Sequence, residues 1–478
     1  MGRIAWKLGL VLIACQLGLP VAWAAAPLQI GFAAVDVTPP VGYRMSGYFY
    51  ERFSTGVHNP LQARAIVLQQ GDQKFAWVFC DLLGVPSAIT SEARTEAAAA
   101  TGIPRENIFI AATHCHTGPL YFGPLRDYFH KRAVELAGAD DHEARPFHEE
   151  LGKKLVDAVK QANANLESTE LAAGTTQQLG LAFNRRYVMR DGSVKTNAGK
   201  LNPDIVRPAG PIDPEVGLLQ FRRNGKPVGG LTVFALHLDT AGGSEFAADY
   251  PYYLERDLRA ALGAEYFSAF GIGTCGDVNH LDMSHDRPQK SHEESERIGS
   301  ALASTVESAL GELPAVATPD LACVSKTVEV PLQRYDQREV QQARSNLSKV
   351  GGREMPMLEQ VHAVKVVGID DLAVEKLPME VQAFRMSDGV ALVALPGELF
   401  AELGLAIKQR SPFATTLVVE LSNDYPGYIP TKRAFAEGGY EPTNSKIEPG
   451  GGEMLVDAAV ELLDGLKART SSETAKVE

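Results

Sequence analysis

Basic residues are the scarcer charge in this chain. Its 478 residues carry 46 lysines and arginines against 59 aspartates and glutamates, a formal net charge of −13. A surface of that sign repels phosphate backbones and anionic headgroups, which argues against nucleic acid and acidic membranes as electrostatic partners. Cysteine is rare, with five in the whole chain. Cys80, Cys115, Cys275 and Cys323 are too few and too far apart to build a disulfide scaffold. They read as buried thiols or neighbours of a site, with a single bridge left open. Beyond the first residues, no apolar run approaches the roughly 20 residues that cross a bilayer. Internal repeats, coiled-coil heptads and nucleotide-type glycine motifs are also missing. What remains, 45% hydrophobic and 22% charged, is ordinary globular composition.

The N-terminus reads as a secretory signal. Arg3 and Lys7 precede an apolar stretch from Leu8 to Leu19, and Ala22-Trp23-Ala24 supplies small residues for cleavage. A competing parse takes Leu12-Ile13-Ala14-Cys15 as a lipobox, which would leave a lipid-anchored Cys15. The apolar run continues beyond Cys15, which favours cleavage after Ala24 and a secreted or periplasmic protein. Residues 25–467 then form one large domain, and the polar residues 468–478 a disordered tail.

Within the domain, β-type runs alternate with helical ones. Leu28 to Val37 is a strand that stops at Thr38-Pro39-Pro40. Ala63 to Leu68 and Phe75 to Leu82 form a hairpin, and Ser91 to Thr101 is a helix closed by Gly102. The strand at Ile108 follows, so the order is β–α–β. Residues 120–145 read as a long aromatic and charged insertion of the kind used for lids. Pro146 to Ala164 is helical, and residues 180–216 are loop-rich. Val228 to Leu238 and Tyr266 to Ile272 are strands, and Tyr250 to Leu262 and Glu293 to Leu310 helices. The second half repeats the alternation. It includes a hairpin around Asp388-Gly389, a helix opening at Pro396-Gly397-Glu398, a strand at Thr415 to Leu421 and a final helix from Gly452 to Leu466. The fold class is α/β, with layered mixed sheets flanked by helices.

Chemically capable residues gather where strands end: His114 and His116, His237, Asp277 to His280, Glu398 and Tyr428. In layered α/β proteins such ends converge on the ligand crevice. If the chain stays extended past Ala112, His114 and His116 face one site. Two imidazoles and a carboxylate suffice to hold a catalytic zinc that keeps a position open for water.

These residues resemble the neutral/alkaline ceramidases, secreted zinc amidases that cleave the N-acyl bond of ceramide. The resemblance spans roughly residues 28–445. It rests on Thr113-His114-Cys115-His116-Thr117-Gly118-Pro119, on Pro396-Gly397-Glu398, and on Asn423, Tyr425, Tyr428 and Tyr440 in that order. It implies that His114, His237, Glu398 and Tyr428 ligate zinc, with His116 as a hydrogen-bonding or proton-transfer group. Arg185 then matches a substrate-binding arginine, and Tyr440 a second tyrosine that steadies the oxyanion. The chain departs from the family at Gly276-Asp277-Val278-Asn279-His280-Leu281. Asn279 stands where ceramidases have a serine, and His280 where they have a proline. The chain also leaves no room for their C-terminal immunoglobulin-like module. The expectation is a zinc-dependent hydrolase of a linear amide or ester, in which metal-activated water attacks directly. His116 or His280 would carry the proton, and Asn279, Arg185 and Tyr440 the developing charge. A small or lipid-like molecule is the expected substrate. Genuine ceramidase activity and a non-catalytic zinc-binding or ligand-binding role are the alternatives.

Overall fold

The computed structural model describes residues 26–143 and 146–474. The proposed signal segment and lipobox lie outside these residues. Three sheets carry the architecture, with helices on their outer faces. The first has five strands, in the spatial order Ile108–Ala112, Gln73–Cys80, Gln62–Gln70, Gln29–Asp36, Glu167–Ser168. Gln62–Gln70 and Gln73–Cys80 are the expected hairpin, and Ile108–Ala112 joins in parallel after the helix Ser87–Thr101. That helix stops at Gly102, whose φ of 73° is left-handed. The second sheet runs Phe267–Ile272, Lys226–Phe234, Glu215–Arg223, Glu170–Gln177. The third runs Ala322–Pro331, Lys376–Ser387, Val390–Ala394, Thr415–Val419.

The sheets share an inner apolar core, because their central strands are buried on both faces and read as continuous apolar runs. Trp77, Phe79 and Phe109 of the first sheet meet Phe384 and Leu417 of the third and Leu219 and Leu231 of the second. Ring centroids of Trp77 and Phe384 lie 5.7 Å apart, edge to face, and Phe109 and Phe384 are 5.6 Å apart. Helix Phe147–Ala164 covers the outer face of the first sheet, Tyr250–Leu262 and His292–Leu310 that of the second, and Gly451–Thr474 that of the third. The α/β class and the layering are as expected, and the fold is mixed α/β without a closed barrel.

Four readings need correction. The insertion at 120–145 is not a loop: Pro124–Ala137 is a helix, with Pro124 in its first turn. Glu398 does not open a helix. Glu398–Leu399 pairs in parallel with Tyr428–Ile429, and the helix begins at Ala401. The strand before His237 ends at Phe234, three residues short of the histidine. The last helix runs on to Thr474, because residues 467–474 continue it without a glycine or proline to stop it. All four described cysteines are free. Among the described residues, no helix is long and apolar enough to cross a membrane.

Asn423 ties the two halves of the chain together. It takes φ 64° just past the strand Thr415–Val419. Its backbone NH donates to the Ile110 carbonyl at 2.7 Å, and its side-chain Oδ1 accepts from the Ile110 NH at 3.0 Å. Its Nδ2 donates to Gln382 Oε1 at 2.7 Å. The edge strand that leads to His114 is thereby fixed against the turn that leads to Tyr425 and Tyr428.

Candidate active site

The two histidines after Ile108–Ala112 converge, although not by extended alternation. The chain turns after Ala112, and His114 takes φ 72°, a left-handed conformation uncommon for a non-glycine residue. The His114 and Cys115 NH groups both donate to the Leu82 carbonyl, at 2.9 and 3.0 Å, and the His116 NH donates to the Leu238 carbonyl at 3.1 Å. These bonds hold the strained turn. His237 arrives from the loop after Lys226–Phe234.

The Nε2 atoms of His114 and His237 are 2.9 Å apart, and that of His116 lies 3.2 Å from His114. All three lie within 4.8 Å of one another. Each Nδ1 faces a backbone carbonyl: Leu83 O at 2.9 Å for His114, Gly47 O at 3.1 Å for His116, Cys275 O at 3.4 Å for His237. A carbonyl only accepts, so each Nδ1 carries the proton and each Nε2 presents a lone pair to the others. Burial lowers His237 well below the usual imidazole range and His116 to about 3, so both are neutral.

Glu398 completes the cluster. Its Oε2 lies 3.2 Å from His114 Nε2 and 3.9 Å from His237 Nε2. The same oxygen is buried without a hydrogen-bond partner, while Oε1 accepts from the Tyr425 hydroxyl at 2.8 Å. Burial opposes its ionisation, but the Tyr425 hydroxyl bond and the Arg185 charge hold its carboxyl below the usual range. Glu420, directly behind, goes the other way: burial and the Glu398 charge push it well above the carboxylate range. It accepts from the Leu399 NH at 2.6 Å and the Cys275 NH at 3.2 Å. Three converging lone pairs and an ionised carboxylate whose Oε2 is buried without a partner would repel one another, so the residues present fit a divalent cation. The histidine–carbonyl bonds are the supports that fix tautomer at such centres.

Tyr428 sits beside Glu398 on the paired short strand. Its hydroxyl accepts from Arg185 Nη2 at 3.0 Å. Arg185 also donates to Glu441 Oε1 at 2.8 Å and to the Gly276 carbonyl at 2.7 Å. Gly276 must be glycine, because a Cβ there would lie 2.4 Å from the Glu398 carbonyl oxygen. Tyr440 stands edge-on to Tyr428, with centroids 5.6 Å apart.

Two cavities meet at this centre. One, of about 210 Å³, is lined by His114, His116 and Tyr425 together with apolar side chains from the Pro124–Ala137 helix and its approach. The other, of about 1030 Å³, opens past His116, Arg185 and Asn197 to Met357 and Leu358. His116, Tyr428 and Tyr440 line both. Asn279 and His280 line neither. Asn279 Nδ2 donates to Asn197 Oδ1 at 3.0 Å, and its Oδ1 accepts from the Leu281 NH at 3.0 Å. His280 is buried, its basicity lowered by that burial. Sequence reasoning missed three contributors: Tyr425 on Glu398, Asn197 at the rim, and Asp239. Asp239 lies 3.7 Å from His116 Nδ1, pairs with Lys290 at 2.6 Å and accepts from the Tyr48 hydroxyl at 2.9 Å. Tyr425 was within reach, since it shares a short motif with Asn423 and Tyr428. Asp239 was signalled only by standing two residues after His237.

Two other acidic-histidine groups are explained locally. In the first, Asp140 and Glu143 are ion-paired to Arg44 and Glu143 also to Arg126, while His130 Nδ1 lies 2.8 Å from Asp140. His58, Glu245 and His292 lie at the surface, with His58 bonded to the Tyr253 hydroxyl at 3.0 Å.

Comparison with known proteins points to one family and one fold. Residues 28–243 match the family model of the neutral/alkaline non-lysosomal ceramidases, N-terminal part. A neutral ceramidase from Pseudomonas aeruginosa is 27% identical over 244 residues, which is 49% of this chain and 33% of the relative. The match therefore spans about a third of that relative's length. The crystal structure of neutral ceramidase from Pseudomonas aeruginosa superposes with a TM-score of 0.70 at 18% identity, covering 93% of this chain and 75% of the other. A ceramidase complexed with C2 gives 0.69 at 17% identity, covering 93% and 76%. These superpositions establish a shared fold.

Proposed function

We propose that this relative of the neutral/alkaline ceramidases is a hydrolase of N-acyl amides, working on a divalent cation, with zinc the expected ion. The observation that carries the reading is the orphaned Oε2 of ionised Glu398 facing three imidazole lone pairs at the junction of two cavities. His114, His237, Glu398 and Tyr428 hold the ion. Bound there, it supplies a Lewis acid for the carbonyl and a more acidic water. His116 fronts both cavities and carries a proton from the attacking water to the leaving nitrogen, with Asp239 behind it. That role falls to His116 rather than His280, which lines neither cavity. Tyr440 offers its hydroxyl to the carbonyl oxygen. Arg185 acts through Tyr428, and Asn279 through Asn197. The test is a panel of N-acyl amides and matched esters assayed with and without chelator. Chelator-sensitive amide cleavage is expected; no cleavage, or cleavage indifferent to chelation, overturns the reading.

The division of labour between the histidines makes its own prediction. His116→Ala lowers kcat by about two to four orders of magnitude, the range of general acid–base catalysis, while metal content stays near one ion per chain. His114→Ala loses both. Loss of metal in His116→Ala, measured by elemental analysis, would make His116 a ligand instead. A second reading, cleavage of ceramide itself, is favoured by the apolar lining of the smaller cavity. It predicts fatty-acid release from short-chain ceramide.

A further inference from the structure

Two lysines line the smaller cavity beside the histidine centre, and neither is paired with a carboxylate among the described residues. Lys365 is 4% exposed. Its Nζ donates to Gln333 Oε1 at 3.1 Å and lies 5.1 Å over the Tyr335 ring. Lys446 Nζ donates to the Pro426 carbonyl at 3.0 Å. Each ammonium has three donors, so one hydrogen bond leaves most of its capacity unused. Buried charges are ordinarily paired, and an unpaired one is retained against a stability cost. Burial alone lowers Lys365, to about 8, so it is mostly charged at neutral pH. Lys446 is also lowered by burial, against more distant Asp424 and Glu398 charges.

Part of the lining is apolar, with Phe49, Leu120, Phe122, Leu125 and Val364, beside the polar groups of the centre and of Ser46 and Asn444. Lys365 and Val364 come from the helix Met357–Leu372, whose buried face packs against Leu125 and Tyr128 of Pro124–Ala137. The cavity therefore combines an apolar wall with two cations that lack a carboxylate partner, beside the reacting centre. We propose that Lys365 and Lys446 form an anion subsite, and that the substrate is an acyl amide carrying a carboxylate or comparable anionic group as well as an apolar chain. This rests on the hydrolase reading above and narrows it away from an uncharged ceramide.

Two matched pairs test it. N-decanoylglycine against N-decanoylglycinamide places the charge on the amine side. The monoamide of suberic acid against the monoamide of its methyl ester places it on the acyl side. In at least one pair the charged member is expected to have the higher kcat/KM, by tenfold or more. Lys365→Met should shrink that ratio at least fivefold and raise the Tm, because it removes a buried ammonium that opposes folding. A merely structural lysine would lose stability instead. If Lys365→Met does not fold, Lys446→Met reads the same ratio. Equal rates within both pairs, or a ratio unmoved by either substitution, overturn the subsite while leaving the hydrolase reading intact. Calorimetric binding of N-decanoylglycine and N-decanoylglycinamide separates the opposite failure. If nothing is cleaved but the acid still binds more tightly, and less so in Lys365→Met, the subsite stands without the hydrolase.

Discussion

Glu398→Gln is expected to lower amide hydrolysis by about three orders of magnitude or more, and to reduce bound metal to a trace. The substitution keeps size and shape and removes one charge. It can keep the Tyr425 hydroxyl bond at Oε1, which needs only an acceptor. What it loses is the buried anionic oxygen 3.2 Å from His114 Nε2, the one strong donor in the cluster that has no protein partner. The same atom makes a second prediction on stability. Without a cation, the native centre confines a carboxylate and three imidazole lone pairs in a buried space, so chelation should lower the Tm of the native protein. Glu398→Gln relieves that confinement, and its Tm should barely respond to chelator. Elemental analysis, kcat/KM and thermal melts with and without chelator read all three effects. A variant that keeps full metal and activity would remove Glu398 from the centre.

The sequence was informative where one residue's neighbours decide its conformation. The hairpin at Gln62–Cys80, the helix closed by Gly102 and the helix His292–Leu310 are local patterns close to where the spacing placed them, although the helix closed by Gly102 starts at Ser87 rather than Ser91. His114, His237 and Glu398 were legible as polar residues just past apolar runs, but the reason for their convergence was not. His114 meets His116 through a left-handed turn held by Leu82, and Glu398 meets Tyr428 through a two-residue parallel pair spanning 30 residues of chain. Neither leaves a periodic trace. The helix Met357–Leu372 escaped because Val361, Val364, Val366 and Val367 blur a helical stripe into a β-like run. That helix brings Lys365 to the cavity. The least readable element of the fold therefore carries the feature that most narrows the substrate.

Arg185→Met is expected to cost about 3–5 kcal/mol of stability, the range for breaking one side of a buried ion pair. Glu441 has a side chain with 0% exposure and is held 2.8 Å from Arg185 Nε. Its other oxygen keeps the Thr196 hydroxyl at 2.8 Å, while Arg186 stands off at 3.9 Å, so the abandoned carboxylate is only partly compensated. Arg185→Met/Glu441→Gln removes the stranded charge and should recover most of that loss. Activity should not return with it. Tyr428 would still lack the Arg185 donor 3.0 Å from its hydroxyl, the group that lowers the energy of a phenolate beside Glu398. The double variant is thus expected to unfold in urea near the native midpoint, yet to hydrolyse amides about ten- to a hundredfold more slowly, the range for a lost support behind a metal ligand. Recovery of both stability and activity would confine Arg185 to holding the fold. Recovery of stability alone makes it a positioning residue, whose charge reaches the reacting centre through the oxygen of Tyr428.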